Sequence, residues 1–229
     1  MEAKWKRRCL SIVLIIVAGM GCNPVLAPFL LGKDDTQTPS EFALKVPAKR
    51  TKDHEDAKVV VLVSTQPGIS SEFIGIDRSL SIDVVRILDE NLKRNKEKVS
   101  VVSAQQVEKW KSDNTGWSLL SPVEIGQKFN ADYVINIEIQ KDFRIYEPRT
   151  GRQLMKGQAN ISINAYEMAK ATEEPAYKTE MNLDYPHGRL VEASDITPSK
   201  FQIEFIRKMA NEIVWKFTAH QQIDRYSAD

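Results

Sequence analysis

Amide side chains are the most concentrated chemical resource in this chain. Asn136, Gln140, Gln158, Asn160, Asn164 and Asn182, with Ser162, fall at alternate positions within three runs of alternating apolar residues. A period of two gathers them on the wet face of a sheet. Amides there can hydrogen-bond sugars or an added peptide strand, so this face is a candidate interaction surface. The plain alternative is an ordinary solvated face, because one-sided sheets normally look like this. Groups suited to catalysis are scattered instead. His54, His187 and His220 show no H-E-x-x-H or comparable ligand spacing. Gln66-Pro-Gly-Ile-Ser70 is no phosphate-cradling loop. Without a G-x-S-x-G motif, Ser70 and Ser71 read as loop or cap residues rather than nucleophiles. The expectation is a non-enzyme with no cofactor and no metal.

Cys22 offers a different chemistry, acylation of its thiol. Lys4, Lys6, Arg7 and Arg8 precede an uncharged run from Cys9 to Gly32. Its core, Leu10 to Val17, has the length and flanks of a signal-peptide hydrophobic region. The run continues into Ala18-Gly-Met-Gly-Cys22, which resembles the bacterial lipobox at Gly21 and Cys22 and departs from it at Gly19 and Met20. Acylation there would leave Cys22 as the first residue of a membrane-anchored protein after loss of a signal peptide, residues 1–21. Two other outcomes stay open. The uncharged run is long enough to span a bilayer as an uncleaved anchor, although Pro24 and Pro28 would break its second half; a plain cleaved leader is the third. All three predict export, to the bacterial cell envelope facing the periplasm.

Charge and cysteine usage narrow the partners. The leader holds four of the 32 basic residues and one of the 31 acidic ones, leaving 28 and 30, a net charge of −2. That balance carries no nucleic-acid footprint. Both cysteines, Cys9 and Cys22, lie before the folded part, so no disulfide or thiolate site is expected within it. Residues 33–57 are polar, charged and without sustained period, which predicts a flexible tether over residues 22–57 with an end-to-end distance of about 30 Å, leaving room for short ordered pieces near Phe42-Ala-Leu44. The folded domain is expected over residues 58–229.

The elements that must position the amides follow from the hydrophobic pattern. Lys58-Val-Val-Val-Leu-Val-Ser64 is apolar on both faces and predicts a strand covered on both sides. A helix stripe follows through Leu80, Val84, Ile87, Leu88 and Leu92, then a β-branched run to Ser103, which together predict a parallel βαβ unit. Ser103-Ala-Gln-Gln106 and Ser121-Pro-Val-Glu124 both have capping-box spacing at the heads of short helices. From Tyr133 the period becomes two, and three such runs predict an antiparallel meander, the first reversal falling at Glu147–Gly151. Phe201, Phe205, Met209, Ile213 and Phe217 form the stripe of a closing helix. The predicted fold is α/β with α+β character: a βαβ unit continued by an antiparallel three-stranded meander, a mixed sheet with helices packed on one main face.

This order of elements, with Ile76-Asp77 heading the first helix and Ile125-Gly-Gln-Lys-Phe-Asn-Ala-Asp-Tyr-Val-Ile135 entering the third strand, resembles a known group. It is similar to the TolB amino-terminal domain and to the curli-secretion and penicillin-binding-protein-activator lipoproteins of the bacterial envelope, over roughly residues 58–185. Asn136 stands where that group often has Gly, and Ser64 where it usually has Phe. The resemblance implies a non-enzymatic module that binds another envelope protein or assembles with itself. The expected function is therefore a membrane-anchored envelope lipoprotein acting as a non-catalytic protein-interaction or assembly module. The alternative is a periplasmic ligand-binding or hydrolytic domain.

Overall fold

Ala57, Val59, Val60, Val61 and Val63 have no exposed surface, and Leu62 has 1%. A strand apolar at every position from Val59 to Val63 needs cover on both faces, and the rest of the fold supplies it. The computed structural model describes residues 37–47, 56–146, 154–170, 172–187, 191–192 and 196–221. In chain order the elements are β1 (Gln37–Thr38), β2 (Ala57–Thr65), α1 (Ile76–Arg94), β3 (Val99–Val101), α2 (Ala104–Asp113), α3 (Pro122–Lys128) and β4 (Tyr133–Ile139). There follow β5 (Arg144–Tyr146), β6 (Leu154–Glu167), β7 (Tyr177–Tyr185), β8 (Val191–Glu192), α4 (Pro198–Val214) and β9 (His220–Gln221).

Seven of these strands make one mixed sheet, in the order β3-β2-β4-β6-β5, with β7 and β8 also paired to β6. β2 pairs in parallel with β3 and β4, while β4, β6 and β7 are antiparallel. The βαβ unit and the three-stranded meander are thus one α/β sheet, as the periodicity predicts. The first reversal of the meander lies outside the described residues.

One face of the sheet is covered from β2 to β6 and only in part over β7. Val59, Val61 and Val63 of β2, Ile135, Ile137 and Ile139 of β4, and Ile161 and Ile163 of β6 share a core with α1 and α4. α1 buries the expected stripe of Leu80, Val84, Ile87, Leu88 and Leu92. Its other side is solvated and laced with ion pairs, Arg86 to Asp83 at 3.0 Å and Lys93 to Asp89 at 2.7 Å. α4 starts at Thr197, whose hydroxyl accepts from the Lys200 amide, and buries Phe201, Phe205, Ile206, Met209 and Ile213. The helix ends at Val214; Phe217, expected on its stripe, lies just beyond it and is still buried.

The opposite face is covered only in part. Val60, Leu62 and Val134 pack there with Val102, Val107, Ile125 and Phe129, which belong to the segments around α2 and α3. The two long helices therefore share one main face, as expected, and the two short ones cap one end of the other. Both short helices begin on the predicted caps. Ser103 accepts from the Gln106 amide, and Ser121 and Glu124 form a complete reciprocal box. The Lys111 ammonium donates to the Val63 carbonyl at 2.8 Å, serving the edge of β2 beyond the point where the short β3 stops.

The boundary of the folded part differs from the expectation. Residues 37–47, read as tether, are packed on the domain, and the compact unit begins at Gln37. β1 pairs with β9, Leu44 is buried, and Phe42 meets the rings of Tyr177, Tyr133 and Phe217 at 5.6, 6.2 and 6.3 Å. The Tyr133 hydroxyl donates to the Lys45 carbonyl at 2.8 Å. Glu41 receives Lys216 and the Tyr177 hydroxyl, each at 2.6 Å. The leader, with Cys22, and residues 48–55 lie outside the described residues.

Candidate functional site

The open half of the second face is where the predicted amides stand. It begins where the apolar cover stops: Leu62 faces the α2/α3 side, and its register partner is Asn136. Asn164 continues that row, and beyond it the sheet presents Glu138, Asn160, Ser162, Glu180 and Asn182, all half-buried or exposed.

A bulge shapes this surface. Ile139 of β4 pairs with Ile161, and Arg144 of β5 pairs with Gln158, so four residues, 140–143, stand against two on β6. The Gln140 amide donates to the Asn160 carbonyl at 2.9 Å, and the Phe143 amide to the Gln140 carbonyl at 3.2 Å. Phe143 turns into the covered face, edge-on to Phe73 at 4.8 Å and stacked on Phe205 at 5.6 Å. Lys141 and Asp142 are left on the rim. Bulges of this kind re-aim side chains at sites.

The result is a groove of about 390 Å³ lined by Gln66, Gln140, Asp142, Asn160, Glu180 and Asn182, among others. It opens at the carboxyl ends of the parallel strands β2 and β4, where the chain order reverses about β2. Open α/β sheets generally bind ligands at such a switch point. Within the groove region Glu138 accepts from the Gln66 amide at 3.2 Å and the Gln140 amide at 3.3 Å. Asn160 donates to Asp142. Carboxylates and amides in this proportion suit hydroxyl-rich or cationic groups better than anions.

Of the six predicted amides, Gln140, Asn160 and Asn182 meet in the groove, Asn160 and Asn182 as direct register partners. Asn136 and Asn164 face each other across β4 and β6, four residues further along each strand. Gln158 lies at the far end and accepts from the Arg144 guanidinium at 3.0 and 2.5 Å. Gln66, Asp142 and Glu180 were not singled out by sequence reasoning. A two-residue bulge keeps Phe143 and Ile145 in phase with Ile139, so the hydrophobic period gave no sign of it. Among the described residues no group of three His, Cys, Asp or Glu side chains could hold a metal ion. His187 is exposed, and His220 is buried with its ring stacked on Trp215 at 4.8 Å.

β7 borders this half-face. It pairs with β6 over nine residues, and no described strand pairs with its outer edge. Its exposed row is Lys178, Glu180, Asn182 and Asp184; its other row, Tyr177, Thr179, Met181 and Leu183, is half-buried. Burial raises the Tyr177 phenol well above its ordinary pKa, and the hydrogen bond to Glu41 adds to the effect. That hydroxyl therefore stays protonated and keeps residues 37–47 docked beside the start of β7.

No family model matches the chain, and no curated protein matches it. Among solved structures it is similar to the lipoprotein GNA1162 from Neisseria meningitidis, with 12% identity, a TM-score of 0.44, and 69% of this chain and 97% of that one covered. The PelC dodecamer from Paraburkholderia phytofirmans gives 12% identity and a TM-score of 0.40, covering 78% and 96%. A putative neuraminyllactose-binding hemagglutinin homolog from Helicobacter pylori gives 11% and 0.39, covering 81% and 96%. Likeness at this level does not bear on role. Among the described residues no helix is long and apolar enough to cross a membrane.

Proposed function

We propose that this chain is a membrane-anchored, non-catalytic module of the bacterial envelope that binds another envelope protein or assembles with itself by accepting a strand at β7. The observation that carries the reading is the nine-residue outer edge of β7, left without a strand partner among the described residues. Such an edge presents a row of backbone donors and acceptors, which is how strand addition gains affinity. The leader ending at Cys22 supports the anchoring, and the resemblance of residues 58–185 to the TolB-like lipoprotein group supports the non-enzymatic role. A pull-down from detergent-solubilised envelopes tests it. A recurring stoichiometric protein, either a different one or an untagged copy of this chain, lost when proline is placed in β7, is the expected result; retention of neither at any salt concentration would refute it. For the anchor, Cys22→Ser should abolish lipid labelling. A membrane-bound species retaining residues 1–21 with no added lipid mass would refute acylation alone.

One observation favours a second reading, a periplasmic domain that binds a small polar ligand or hydrolyses one. The groove sits at the switch point and is lined by convergent amides and carboxylates. Binding of small glycans by the purified chain, with no protein partner present, would favour it.

A further inference from the structure

β7 is close to being its own complement. Tyr177-Lys-Thr-Glu-Met-Asn-Leu-Asp-Tyr185 has tyrosine at both ends, methionine at its centre, and lysine at the second position against aspartate at the eighth. We infer that the outer edge of β7 pairs with the β7 of a second copy of this chain, antiparallel and centred on Met181. This rests on the strand-addition reading and names its occupant.

Charge selects the register. With Met181 opposite the partner's Met181, Lys178 faces the partner's Asp184 and Glu180 faces the partner's Asn182. Both pairs are favourable, and the two-fold axis repeats each one. Sliding either strand by two residues is penalised in both directions. One slide sets Glu180 against the partner's Glu180, and the other sets it against the partner's Asp184. Like charges directly opposite one another destabilise a strand pair. A slide by one would set the charged row against the apolar row. Only the centred register combines all nine residues with opposite charges.

The same register serves the other face of the sheet. Tyr177, Met181 and Leu183 pack against the core and, with Thr179 in the same row, remain half-exposed, because α4 covers β6 more than β7. A partner strand sets a matching row beside them and extends the apolar cover. On the open face Glu180 and Asn182 already line the groove, so the partner's Asn182 would stand opposite a groove residue. The contact is isologous and closed, which yields a dimer and leaves no open-ended fibre.

Sedimentation equilibrium of the full chain in density-matched detergent tests the proposal. The wild-type chain should be a dimer. Lys178→Asp should weaken it about tenfold or more, because each dimer then carries two like-charge pairs. Asp184→Lys should act the same way, although it also removes the 3.7 Å contact with Lys156. The double exchange, Lys178→Asp with Asp184→Lys, should restore the dimer, and thermal midpoints of all variants report whether each is folded. A wild-type chain that stays monomeric across the micromolar range overturns the inference. So does a dimer equally tight in both single variants. A monomer that binds a different envelope protein through β7 removes the second copy as occupant and leaves the interaction module standing.

Discussion

Replacing Gly157 with alanine should destabilise the protein, although alanine is ordinarily the better strand residue. Glycine in a strand interior usually weakens it, so propensity alone predicts a gain. The structure predicts a loss, because a Cβ on Gly157 would lie 2.6, 2.8 and 2.9 Å from three ring carbons of Phe205. The ring has little room to retreat. It is fully buried and stacked with Phe143 at 5.6 Å and with Tyr185 at 5.9 Å. Overpacking of this kind costs about 1–3 kcal/mol. Phe205→Ala alone should cost about 3–5 kcal/mol, the usual range for a buried phenylalanine. Combining the two removes the clash and lets the new methyl occupy part of the cavity. The double variant should then cost no more than Phe205→Ala, giving a coupling of about 1–3 kcal/mol. Urea denaturation of the four proteins measures it. Additive costs, or a neutral Gly157→Ala, would refute the packing of α4 on β6. A near-neutral Phe205→Ala that instead lost partner binding would make α4 a docking surface.

Glu124 is held below its ordinary value of 4.5 by the Ser121 amide, so its contribution is present above that value and is lost as pH falls through the lowered one. The gap in thermal midpoint between wild type and Glu124→Ala should therefore close on acidification, and a gap that widened would contradict the capping box. Ser121→Ala should cost about 1 kcal/mol by chemical denaturation. Asn160→Lys with Asn164→Lys should shift stability by less than about 1 kcal/mol if this half-face is open, and a loss of several would mean that it is covered. Phe42→Ala should cost about 2 kcal/mol, roughly half the value for a fully buried ring, and a null effect would return residues 37–47 to the tether.

The parts of the fold legible in the sequence are those set by local period and local chemistry. The all-apolar run of β2 called for two covered faces, and the Ser103 and Ser121 caps marked the two short helices. Docking of residues 37–47 was not legible, because Phe42 and Leu44 form too short a pattern to show a period. Their partners Tyr177 and Phe217 are also more than 130 residues away in the chain. Parity put all six amides on one face but could not say which rows would meet. That depended on the bulge at residues 140–143, which shifts the register by two and leaves the alternation intact. The limit of the apolar cover on the open face was equally hidden, since it depends on where α2 and α3 stop.

Amide hydrogen exchange across Lys178 to Asp184 shows whether the outer edge of β7 is paired, with the full chain embedded in envelope membranes compared against the full chain dilute in detergent. Alternate amides of β7, those on the outer edge, should exchange freely in the dilute sample and be protected in the membrane sample. The amides directed at β6 should be protected in both. Equal exchange at the outer amides in the two samples would contradict strand addition at β7, because the edge would then remain unpaired where the protein works.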